Sequence, residues 1–128
     1  MSLGNGYSVM VIDDEVDVRE SLTEWLSNVG YEASSACNGR EALKQLRSNP
    51  RPPNAILLDM MMPVMDGLSF RWEMLADPAL ASIPVIILSA SNYCHESALE
   101  LSTAGCIQKP CQPEALLEML SRICGKAS

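Results

Sequence analysis

The sequence predicts an α/β fold, a doubly wound five-stranded parallel sheet of (βα)5 organisation, on three observations. Short apolar runs recur along the chain without strict alternation, as strands buried on both faces require. Segments with helical spacing separate them. The connections are short, so each strand–helix–strand unit crosses over right-handed and returns to a parallel sheet.

Each element has its own grounds. Ser8–Ile12 is the first strand. Val18, Leu22, Trp25 and Val29 then repeat at i, i+4, i+7 and i+11, and Gly30 sits where a helix C-cap belongs. Residues 31–36 form a weaker strand. Asn38-Gly39 opens a second helix, which carries Ala42, Leu43 and Leu46 and is stopped by Pro50. A strand at 55–58 precedes a helix at 68–75, with Asp66 as its N-cap. The fourth strand is 85–88, followed by a short helix at 96–101 and a short strand at 106–108. Pro113 takes the first position of the last helix, with Leu116, Leu120 and Ile123 on one face. Residues 7–124 make one domain, and residues 1–6 read as a disordered N-terminus or a cloning scar.

Composition narrows the function. The 128 residues amount to one domain on the usual ~100–200 residues per domain. A content of 48% hydrophobic and 20% charged residues is ordinary for a globular chain. Sixteen acidic against nine basic residues give a net charge of -7. Such a chain suits neither direct nucleic-acid binding, which wants a basic face, nor an anionic membrane surface. It does suit a divalent cation. No stretch approaches the ~20 apolar residues of a membrane span. Met1 to Gly6 lacks the basic and apolar regions of a signal peptide, so a cytoplasmic location is expected. Five cysteines show no CxxC or Cys/His zinc spacing and read as free thiols in a reducing compartment.

In doubly wound sheets ligands bind at the carboxyl ends of the strands. Asp13, Asp14 and Glu15 follow the first strand, Asp59 the third, Ser89 and Ala90 the fourth, and Lys109 and Pro110 the fifth. Taken singly, the Asp13-Asp14 pair would cap a helix, Asp59 would end a strand and Lys109 would be a surface lysine. Together they converge on one edge. Carboxylates that close repel, and a hard dication such as Mg²⁺ relieves them. A lysine opposite completes a site for a phosphoryl group on a carboxylate nucleophile.

Val11-Ile12-Asp13-Asp14-Glu15, Asp59-Met60-Met61-Met62-Pro63-Val64-Met65-Asp66-Gly67, Leu88-Ser89-Ala90 and Lys109-Pro110 together resemble the response regulator receiver domain of two-component signalling. The resemblance spans roughly residues 7–124 and implies the flavodoxin-like receiver fold. It implies that Asp59 is the phosphoacceptor for a phosphohistidine on a sensor histidine kinase or phosphotransfer protein. Asp13, Asp14, Asp59 and the Met61 carbonyl would hold Mg²⁺ or Mn²⁺. Lys109, Ser89 and the Ala90 N–H would hold the phosphoryl group. The output would pass to a downstream effector through the face of the 96–101 helix, the fifth strand and the last helix. A phosphorylation-dependent homodimer stays open.

The sequence departs from the family at Cys106, where a Tyr or Phe usually stands three residues before the lysine, and at Ser102-Thr103, where Gly-Ala is usual. Tyr93 is a weak substitute for the aromatic, and the single histidine, His95, reads as a surface residue. Trp72 lies off the stripe set by Phe70 and Met74, which predicts exposure. Bulky Met61, two after the phosphoacceptor, would hinder a hydrolytic water. The resemblance implies self-phosphotransfer with slow self-hydrolysis and no external product. The alternatives are an aspartate-nucleophile phosphatase, which wants an Asp at Met61; a flavodoxin-like cofactor binder, which wants a phosphate loop at Asp13-Asp14-Glu15; and a degenerate receiver acting as a scaffold.

Overall fold

A computed structural model of the chain describes residues 7–49, 51–59, 67–89, 105–108 and 112–124. Its elements run β1 (Ser8–Ile12), α1 (Val16–Asn28), β2 (Glu32–Ala36), α2 (Gly39–Ser48), β3 (Ala55–Asp59), α3 (Gly67–Ala76), β4 (Val85–Ser89), β5 (Gly105–Gln108) and α4 (Pro113–Cys124). All neighbouring strands pair in parallel, in the order β2-β1-β3-β4-β5. The expected helix at 96–101, the Asp66 cap and the Pro50 stop lie outside the described residues.

Strand alternation divides the core in two. Met10 and Ile12 of β1, Ile56 and Leu58 of β3 and Val85 of β4 point to one face, where Ala42, Leu43 and Leu46 of α2 and Phe70 and Met74 of α3 cover them. Val9, Val11, Ala55, Leu57, Ile86 and Leu88 point to the other, under Leu26 of α1 and Leu116 and Leu120 of α4. Successive Cβ atoms leave a strand on opposite sides, so continuous apolar runs are what a doubly covered sheet needs. The N-terminal ends of β1 and β3 are pinned by one residue: Asn54 donates its N–H to the Ser8 carbonyl at 2.8 Å and accepts from the Ser8 N–H at 2.9 Å.

Helix ends follow local chemistry. α1 stops in a Schellman arrangement: Tyr31 N–H donates to the Leu26 carbonyl at 2.9 Å and Gly30 N–H to Ser27 at 3.1 Å, with Gly30 at a φ of 98°. A side chain at Gly30 would be strained there. The α1 stripe read from the sequence is correct in direction, but its fully buried member is Leu26, with Leu22, Trp25 and Val29 flanking it half-buried. Asn38 caps α2 by accepting from the Glu41 N–H at 2.8 Å. At Gly105 a Cβ would stand 2.8 Å from the Met119 sulfur, which shows how closely α4 approaches β5.

Asn38→Ala leaves that first-turn N–H without its side-chain acceptor and should lower stability by about 1 kcal/mol. Phe70→Ala empties a site that is 0% exposed and should cost about 3–5 kcal/mol. Urea midpoints at constant m-value check both.

Candidate functional site

Parallel pairing decides which side chains meet. Ile12 of β1 registers with Leu58 of β3, so Asp13 and Asp59 leave the sheet side by side. Oxygens of Asp13, Asp14 and Asp59 lie within 4.8 Å of one another. Asp13 is 0% and Asp59 4% exposed, whereas Asp14 faces solvent. Asp59 registers in turn with Leu88, which brings the backbone of Ser89, the last residue of β4, to the same edge. Ala90, Met61 and Lys109, also named from the sequence for this site, lie outside the described residues.

The β1–α1 turn is held from three sides. Asp13 donates its N–H to the Ala36 carbonyl at 3.2 Å, which ties the turn to the end of β2. Its Oδ1 accepts from the Glu15 N–H at 2.9 Å, an Asx turn that starts α1. Asp13 thus shapes the turn before α1 and faces the cluster, but it does not cap the helix: the N-cap residue is Glu15, with no side-chain cap hydrogen bond. Arg19 donates from Nη1 to the Asp13 carbonyl at 2.8 Å. Side chains on a helix lean toward its N-terminus, so a residue one turn into α1 reaches back over the turn. No motif marks Arg19. Its spacing from Asp13 is a signal only once α1 is known to begin at Val16.

Beside it lies a second polar group. The Cys37 thiol donates to Glu41 Oε2 at 2.7 Å, and Gln45 Nε2 donates to Glu41 Oε1 at 3.1 Å. The thiol hydrogen bond, seconded by those from the Cys37 backbone and Gln45 and by the Arg19 charge, holds the Glu41 carboxyl below the usual carboxylate range. The same bond, with burial and the Glu41 charge, pushes the Cys37 thiol up. Cys37 is a free thiol, as expected. Cys106 is not: it is disulfide-bonded, which corrects the free-thiol reading there. No CxxC spacing marks it in the sequence, and a disulfide depends on the Cα separation that the fold brings about.

Chemically, the trio is an all-oxygen, anionic donor set of the kind hard dications prefer. At ~4 Å and an effective dielectric of ~20, two carboxylates repel by about 4 kcal/mol, so the site favours a divalent cation. Its residues fit Mg²⁺. A cavity of about 510 Å³ at the opposite ends of the strands, lined by Ser8, Glu32, Arg51 and Asn54 among others, contains none of the trio. Trp72 is 63% exposed, as the stripe implied.

The chain matches the family model described as response regulator receiver domain over residues 9–121. It is 36% identical over 115 residues to the response regulator MprA of Mycolicibacterium vanbaalenii, covering 90% of this chain and 48% of that protein. The transcriptional regulatory protein PrrA of Mycobacterium tuberculosis is also 36% identical over 115 residues, with 90% and 47% covered. The chain thus spans about half the length of these curated relatives. Among solved structures, the chemotaxis protein CheY4 of Vibrio cholerae superposes with a TM-score of 0.81 at 28% identity, covering 91% of this chain and 98% of that one. The signal receiver domain of a signal transduction histidine kinase from Syntrophus aciditrophicus does so at 0.81 and 29%, covering 92% and 89%.

If the trio holds a dication, Arg19→Ala should leave the fold intact and weaken its binding roughly tenfold, as losing an outer group that orients a ligand does. Titration calorimetry with Mg²⁺ reads it, and unchanged affinity would mean the turn holds itself. Because Glu41 is depressed in the fold, its contribution to stability is present above the ordinary carboxylate range and lost as pH falls through its lowered pKa. The melting-temperature gap between wild type and Glu41→Gln should therefore narrow between about pH 6 and pH 3.

Proposed function

The chain belongs to the response regulator receiver domain family, and on that premise we propose that it is a phosphorylation-controlled signalling switch with Asp59 as its phosphoacceptor. The carrying observation is the trio of Asp13, Asp14 and Asp59 at the carboxyl edge of a parallel sheet. An Asp59 oxygen attacks the phosphorus of a phosphohistidine on a sensor histidine kinase or phosphotransfer protein. The O–P bond forms, the N–P bond breaks, and the imidazole leaves and takes up a proton. Asp13, Asp14, Asp59 and the Met61 carbonyl hold Mg²⁺ or Mn²⁺. When bound, the metal neutralises charge on the carboxylates and the transferring group. Lys109 supplies the opposing positive charge, and the Ser89 hydroxyl and Ala90 N–H receive the phosphoryl oxygens. The family does not work as a classical enzyme, and here the only turnover is slow hydrolysis of the chain's own aspartyl-phosphate.

Phosphorylation then draws Ser89 toward the new group and alters the face that includes β5 and α4. Cys106 stands on β5 where the family usually carries an aromatic, so the aromatic rotamer is not part of this switch. The relatives bear names of whole regulators and, in one structure, of a histidine kinase; the downstream effector is a domain or protein of either kind, and a phosphorylation-dependent homodimer is one output. The net charge of -7 argues against direct nucleic-acid or membrane contact. Among the described residues no helix is long and apolar enough to cross a membrane.

Intact-mass spectrometry after incubation with acetyl phosphate tests the reading. One Mg²⁺-dependent phosphate adduct is expected, absent from Asp59→Asn; an adduct that survives in Asp59→Asn would overturn the assignment. Met61→Asn should shorten the adduct's lifetime several-fold by admitting water, and an unchanged lifetime would remove Met61 from that role.

A further inference from the structure

α2 exposes Arg40, Lys44 and Arg47 at i, i+4 and i+7. Three of the nine basic residues of a chain with net charge -7 therefore share one stripe. Arg47 leans across to Glu73 and Asp77, at 3.6 Å each. Arg40 and Lys44 make no ion pair with a described residue. Like charges one helical turn apart repel by about 0.2–0.5 kcal/mol per pair. The stripe is thus left largely unneutralised in a chain with acid in excess. It borders a groove of about 480 Å³ between α2 and α3, which buried Leu43 lines and Glu73 edges. On α3, Trp72 is 63% and Leu75 39% exposed. Arginine and tryptophan are the residue types enriched at interface hot spots.

The matching surface is on the same chain. α1 exposes Asp17, Glu20 and Glu24 at i, i+3 and i+7, with Val16 at its head 50% exposed. Val16, Trp72 and Leu75 are the exposed large apolar residues among those described. α1 packs on one face of the sheet, and α2 and α3 on the other, so the two surfaces cannot meet within one molecule. We propose that α1 of a second copy docks on the α2–α3 surface, its acidic row on the basic stripe and Val16 toward Trp72 and Leu75. The contact is heterologous, head to tail, and leaves one surface of each kind open. One helix against two buries less than the ~1,200 Å² of a stable complex, so the association is weak. It is also screened by salt, because the Debye length is about 10 Å at 0.1 M. It goes beyond the phosphoacceptor reading and does not depend on it.

Sedimentation velocity of the whole chain tests the contact. At about 20 mM salt the mean sedimentation coefficient should rise with concentration, and at about 0.5 M it should return to the monomer value. R40E/K44E and E20K/E24K should each stay monomeric, with circular dichroism showing that both fold. Their equimolar mixture should associate, because each reversed face then meets a reversed partner. Trp72→Ala leaves net charge unchanged and should raise the dissociation constant about tenfold, as loss of an interface aromatic does. Asp59→Asn should associate like wild type even though it takes no phosphate, which separates this contact from the phosphoacceptor chemistry. A wild-type monomer throughout at low salt, association persisting in R40E/K44E, a monomeric mixture, or undiminished association of Trp72→Ala would each overturn the proposal.

Discussion

Three carboxylates gathered within 4.8 Å repel one another, and the rest of the molecule is arranged so that they stay together. Two of them are buried, where water screens poorly. They stay together because β1 and β3 are neighbouring strands in fixed register and the side chains leave from adjacent strand ends. A core closed on both faces of the sheet holds those strand ends in place, and a divalent cation would relieve the repulsion between the carboxylates.

That arrangement depends on the order of the strands. With β1 between β2 and β3, the turn after β1 touches the end of β2 through the Asp13–Ala36 hydrogen bond. Arg19 closes the turn from the helix side by holding a carbonyl of the acidic segment. Its charge also reaches Cys37 and Glu41 at the start of α2, so one guanidinium serves two neighbouring polar groups. The buried trio and this half-buried fringe belong to one electrostatic neighbourhood.

The outer surfaces follow a different logic. Each helix buries a narrow apolar stripe and leaves the remaining positions to solvent, and the charges sort by helix: acidic on α1, basic on α2. A net charge of -7 describes the chain as a whole and conceals this sorting. It excludes classes of partner by long-range field, yet a local stripe of opposite sign still makes a short-range contact within a Debye length.

Much of this was legible in the residues. The two-sided burial of the strands was written in runs such as Val85 to Leu88, because a strand covered on both faces needs apolar residues at every position. The ends of α1 and α2 were written in Gly30 and Asn38, whose chemistry is local. The clustering of Asp13, Asp14 and Asp59 was legible because the parallel strands β1 and β3 end at one edge. What the residues did not carry were contacts between segments far apart in the chain. Leu26 outranks the predicted stripe because α1's rotation is set by how it packs on β1 and β2, not by its own periodicity. Arg19's bond to the Asp13 carbonyl, the Cys37–Glu41 pair and the Cys106 disulfide depend on distances of a few ångströms that only the assembled helices and strands determine.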